Sequence, residues 1–167
     1  MRLVALVAAA VMFSLPASAQ GWKEYSYPDS GFYVHFPADP TVAEGSYTMD
    51  GKTVKSKIYS LEHENMLYAV TVADFSQENM QEEGAIDQAV KQLIADGEVL
   101  MDIPHRINST YGRQLMIKGT DDSRSSVAVF FRDKKLIVAN GKIPASNPDK
   151  AAGEGVRFQQ TLGWPGQ

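Results

Sequence analysis

Three histidines, His35, His63 and His105, are the side chains in this 167-residue chain best suited to metal or proton chemistry near neutral pH. A metal site would need two or three of them to converge with a carboxylate. No two of them fall at the i, i+4 spacing of a helical site. His35 lies between Val34 and Phe36 and, by strand alternation, faces away from them beside Tyr33. His63 sits in the polar stretch Glu62-His63-Glu64-Asn65, which reads as a hairpin turn, and His105 follows Pro104 in an expected loop. Acid pairs occur at Glu62/Glu64, Glu82/Glu83 and Asp121/Asp122, in expected turns or at a helix start. Glycoside hydrolysis would need two carboxyls held across a cleft, one with a raised pKa. There is no Gly-x-Ser-x-Gly elbow around any serine. Gly153-x-Gly155 is followed by Phe158 where a dinucleotide loop needs glycine. The spacing therefore predicts no catalytic, metal-binding or cofactor-binding set, and no cofactor. An aromatic group stands out instead. Tyr25 and Tyr27 alternate on one face of an expected N-terminal strand, with Trp22 and Tyr33 close by. Aromatics with polar tips are enriched at interfaces, so these four form a possible interaction surface. The plainer reading is that they cap the core beside Trp164.

The elements that must carry these groups are mostly short strands. Runs rich in β-branched and aromatic residues at 31–36, 41–49, 52–61 and 66–75 are separated by Pro, Gly, Asp and Asn. Asp50-Gly51 predicts a two-residue hairpin between the second and third runs. The run 66–75 is apolar on both faces, as in a strand covered on both sides. Between Glu82 and Asp96 the period changes. Ile86, Ala89, Val90, Leu93 and Ile94 fall on one helical stripe, Glu82 and Glu83 favour the helix start, and Gly97 is placed to end it in the left-handed conformation. Strands resume at 98–103, with Val99, Met101 and Ile103 on one face, then at 112–119, 125–132 and 135–142, the last two joined across Asp133-Lys134. Met66, Met101 and Met116 fit core strands, whereas Met49 and Met80 sit near loops as soft contact residues. Asn147 reads as an N-cap, followed by a helix in which Ala151, Gly155, Phe158 and Leu162 share a face and Phe158 anchors. Gly153 and Gly155 each weaken that helix by about 1 kcal/mol relative to alanine. The layout predicts an α+β fold, an antiparallel sheet of about six to eight strands with helices packed on its faces.

Residues 1–19 carry a different kind of information. Arg2, an apolar run over 3–15 broken by Ser14, Pro16 and the small-x-small sequence Ala17-Ser18-Ala19 read as a secretory signal peptide cleaved before Gln20. The run is too short to span a bilayer, and no later segment of 18 apolar residues exists. Residues 20–167 are then a single domain of ordinary size. The absence of cysteine excludes a disulfide framework, thiolate zinc and a thiol nucleophile. The leader takes one Arg and no acid, so 15 basic and 20 acidic residues remain, a net charge of −5. The basic residues are scattered apart from Lys134-Lys135, which argues against nucleic acid as a partner.

Tyr25-x-Tyr27, then Gly31-Phe32-x-Val34-x-Phe36-Pro37, a helix ahead of a Gly112-Arg113 strand entry and a terminal helix carrying Arg157-Phe158 together resemble the PsbP-like superfamily. That resemblance implies an α/β/α sandwich over nearly the whole chain after the leader. It also implies a binding or assembly role, since characterised members include an extrinsic photosystem II subunit and a Ran-binding transport factor. It assigns no functional residue, because the shared positions are apolar anchors and turn glycines. The sequence therefore predicts a non-catalytic exported module acting in the periplasm or cell envelope on a protein or envelope component. The alternative is a small periplasmic hydrolase or ligand-binding protein using a cleft at one end of the sheet.

Overall fold

The computed structural model describes residues 21–146 and 152–166. The leader reading and the Asn147 cap lie outside them. Lys23–Tyr27 (β1) pairs antiparallel with Phe32–Phe36 (β2) as a separate two-stranded sheet. Seven further strands form one antiparallel sheet: Thr41–Met49 (β3), Lys52–His63 (β4), Met66–Asp74 (β5), Gly97–Ile107 (β6), Thr110–Gly119 (β7), Arg124–Arg132 (β8) and Lys135–Ile143 (β9). Their spatial order is β3-β4-β5-β9-β8-β7-β6. Among the described residues there are two α-helices, Glu82–Leu93 (α1) and Ala152–Gln160 (α2).

Turn chemistry explains the hairpins. The two central residues of the β3–β4 turn, Asp50 and Gly51, have φ of 52° and 72°. Those of the β8–β9 turn, Asp133 and Lys134, have 49° and 58°. Two residues with positive φ twist the chain in the sense that the flanking strands require. Glu64-Asn65 joins β4 to β5 in the same manner.

Strand alternation then sorts side chains to two cores. On one face, Tyr68, Val70, Phe130, Ile137 and Ala139 of the sheet meet Phe32, Val34 and Phe36 of β2, Phe158 of α2, and Trp164. On the other, Leu115, Val127, Val129, Leu136 and Val138 meet Ala85, Ile86, Ala89 and Val90 of α1. The result is three layers, with α1 on one side of the sheet and the β1–β2 pair plus α2 on the other. Helix α2 comes very close to β9. A Cβ built on Gly141 would lie 2.6 Å from the Gly155 Cα, so glycine at both positions sets the separation.

Several local expectations are corrected. Among the described residues five strands precede α1, the expected N-terminal strand being β1, paired with β2. Helix α1 ends at Ile94 in a right-handed conformation, and Gly97 does not cap it. Gly97 opens β6, where a Cβ would lie 2.7 Å from Ile117 Cγ2. His105 and Pro104 lie within β6 rather than in a loop. That strand is an edge, the kind of strand in which proline is tolerated. Val99 pairs with Ile117 and Met101 with Met116, so Leu100 is an extra residue at a bulge. The bulge inverts the alternation and puts Val99 on the opposite face from Met101 and Ile103. Met49 is buried in the α1-side core rather than serving as a loop contact.

Candidate functional site

The N-terminal aromatics are positioned by the β1–β2 register, which sets Tyr25 opposite Val34 and Tyr27 opposite Phe32. Trp22, Tyr25 and Tyr27 pack half-buried onto the β2-side core. Tyr25 lies edge-on to Phe36 at 5.8 Å, and its hydroxyl donates to Asp39 Oδ1 at 2.5 Å. That hydrogen bond to a carboxylate pushes the phenol pKa up to about 12. Tyr27 sits 5.2 Å from Phe32 and 4.2 Å from Tyr59, and burial raises its pKa. Trp22 meets Tyr68 edge-on at 5.3 Å, with the Arg157 guanidinium 4.5 Å over its ring. Tyr33 takes the other face of β2, where its backbone exchanges two hydrogen bonds of 2.9 Å with Gly163. Three of the four aromatics thus share a face, and Tyr33 is on the reverse.

The histidines are held apart. His35 Nε2 is 3.6 Å from Glu24 on β1. His63 Nε2 is 3.9 Å from Glu64 at the β4–β5 turn. The His105 ring packs tilted against Phe130, with centroids 5.5 Å apart, and burial lowers its pKa. Among the described residues, no group of three His, Asp or Glu side chains could hold a metal ion.

A hollow lies at one end of the sheet, an open cleft of about 790 Å³. It is bounded by the β4–β5 turn, Asp121, Lys142 and the stretch 144–146. A second hollow of about 330 Å³ adjoins it on the α1 side, shares Asp121 and Lys142, and reaches Ser125 and Asn140. The β7–β8 turn builds the acidic wall. Asp121 Oδ1 accepts bonds from the Ser123 amide at 3.1 Å and from the Ser123 hydroxyl, while Oδ2 faces Lys142 Nζ at 3.4 Å. The Ser123 bonds hold the Asp121 carboxyl down at about 2, so it stays ionised and cannot act as a proton donor near neutrality. Asn140 Oδ1 is buried without a hydrogen-bond partner. The sequence reading missed Asn140 and Lys142 as cleft residues. Their signal was present: on β9 they occupy the same alternation as Leu136 and Val138 and replace apolar residues with polar ones. The cleft brings together His63, Glu62, Glu64 and Asp121, but neither of the other histidines.

No family model matches the chain, and no curated protein matches it. Among solved structures it is similar to cyanobacterial PsbP (CyanoP) from Synechocystis sp. PCC 6803, determined in solution, with a TM-score of 0.59 and 10% identity. That match covers 95% of this chain and 98% of the other. A Pseudomonas aeruginosa protein of unknown function matches with a TM-score of 0.40 and 10% identity over 75% of this chain and 84% of its own, too slight a likeness to bear on the fold. At such identities similarity speaks to architecture alone. With a single antiparallel sheet between α1 and the α2/β1–β2 layer, the chain adopts a PsbP-like α+β fold.

Proposed function

We propose that this chain is an exported, non-catalytic binding or assembly module that works in the periplasm or outside the cell on a protein or envelope component. The observation that carries the reading is the separation of its reactive side chains. His35, His63 and His105 sit on β2, β4 and β6, each against its own neighbour. The PsbP-like architecture supports the same reading, and among the described residues no helix is long and apolar enough to cross a membrane. The contact surface is the N-terminal aromatic end, with half-buried Trp22, Tyr25 and Tyr27 on one face of the β1–β2 pair and Tyr33 on the other.

A photo-crosslinking residue placed at Trp22 or Tyr33 in the native envelope tests this. A discrete adduct from those positions, absent when the probe replaces exposed Lys55 on β4, is the expected result. Equal labelling from all positions would sink the surface assignment. The sheet-end cleft favours a second reading, a small periplasmic hydrolase or ligand-binding protein, because it gathers His63 with Glu62 and Glu64. His63→Ala should then abolish turnover or binding of a ligand that protects the cleft from hydrogen exchange.

A further inference from the structure

The seven-stranded sheet has two edges, and they are built differently. Edge strand β6 is defended against further pairing. It carries the Leu100 bulge, Pro104, and the charged residues Asp102 and Arg106. Edge strand β3 has neither the bulge nor the proline. Its nine residues pair with β4 one for one, without a register shift. It contains no proline, lysine or arginine, and Glu44 is its one charged residue. Residues 41–46 and 48 are exposed, Val42 at 54%. Among the described residues no other strand pairs with β3 on its free side. Such an edge presents a row of unpaired N–H and C=O groups, a template for another strand.

We propose that β3 pairs antiparallel with β3 of a second copy, about a two-fold axis through Gly45, to make a reversible homodimer with one continuous sheet. The strand sequence is self-complementary in that register. Thr41 faces Met49 of the second copy, Val42 faces Thr48, Ala43 faces Tyr47, and Glu44 faces Ser46. The large ring is thus set against the small Ala43 side chain, and the β-branched residues Val42 and Thr48 meet each other. The two glycines at the axis let the backbones meet without steric demand. Charge argues for a second copy over an unrelated strand. The two Glu44 carboxylates are not opposed, and each already faces Lys57 across its own hairpin, while Lys55 stands behind Ser46. A closed two-fold pairing also consumes the edge, so assembly stops at two. With one strand per copy at the contact, the interface belongs to the small, weak class.

Sedimentation velocity on protein expressed from the full 167-residue sequence, over a wide concentration series, tests this. The expected result is a monomer–dimer equilibrium. Ser46→Glu places a carboxylate opposite Glu44 at two symmetric points and should weaken the dimer about two- to thirty-fold. Ser46→Lys places an ammonium there and should strengthen it by a similar factor. Ser46→Glu faces Lys55 within its own hairpin, so its fold is not compromised. A monomer at every concentration overturns the proposal. So does a dimer that the two substitutions leave unchanged or shift in the same direction. Either failure leaves the envelope-partner reading intact.

Discussion

Single residues separate by what surrounds them, not by type. Gly153 and Gly155 look alike in sequence, two flexible residues in one short helix. A Cβ on Gly153 would meet nothing within 4 Å, whereas Gly155 lies against Gly141 of β9. Gly153→Ala should therefore stabilise the protein by up to about 1 kcal/mol, through helix propensity alone. Gly141→Ala should destabilise it by about 1–3 kcal/mol, because the added methyl must push α2 away from the sheet. Urea denaturation of the two variants reads both signs. His105 makes the residue-scale pH prediction. Burial lowers its pKa below the usual 6.5, so the unfolded chain binds a proton that the folded chain resists. Its contribution is intact above about 6.5 and is lost as pH falls from 6.5 towards the lowered folded value. His105→Gln should flatten the stability–pH curve across that window, measured by thermal melts at stepped pH. A wild-type curve with no slope there would contradict the assignment. Neither effect was visible in the sequence, which placed His105 in a loop, because only the bulged edge strand sets its ring on Phe130.

At the scale of elements, helix α2 depends on docking. Its nine residues include two glycines, too weak a helix to persist alone. Phe158 is fully buried, with ring centroids 5.0 Å from Phe36 and 5.2 Å from Tyr68. Phe158→Ala should cost about 3–5 kcal/mol. It should also change Trp22 fluorescence, since that indole lies 6.4 Å from the deleted ring. Loss of stability with unchanged Trp22 emission would mean that the helix holds without this anchor. Hairpins and helices of this kind were legible early. Asp50-Gly51, Asp133-Lys134, the Ile86–Val90 stripe and the Phe158 anchor all sit where local pattern placed them. The β6 strand was expected at 98–103, but its length and the faces of its side chains were not legible. Val99, Met101 and Ile103 alternate in sequence, yet the extra residue at Leu100 sends Val99 to one face and the other two to the reverse. Val99 and Ile103 end up 40% and 43% exposed. A bulge has no fixed residue signature, so period-two reading fails wherever one occurs.

For the whole molecule, the leader reading leads to a direct prediction. Intact-mass measurement of the protein recovered from an exporting bacterium should give a chain beginning at Gln20. Recovery of the uncleaved 167-residue chain from the cytoplasm would remove the basis for an envelope role. Element types, hairpins and the two-faced character of the strands are set by the sequence alone, since alternation, turn conformation and helical stripes act over a few neighbouring residues. Tertiary structure decided what lies further apart in the chain: β9 inserted beside β5, α1 on one face with α2 and β1–β2 on the other, and Asp121 and Lys142 drawn up to the β4–β5 turn. Those choices follow from long-range strand pairing and from which apolar face best covers which. No local pattern encodes a partner some seventy residues away, such as Leu67 against Lys142.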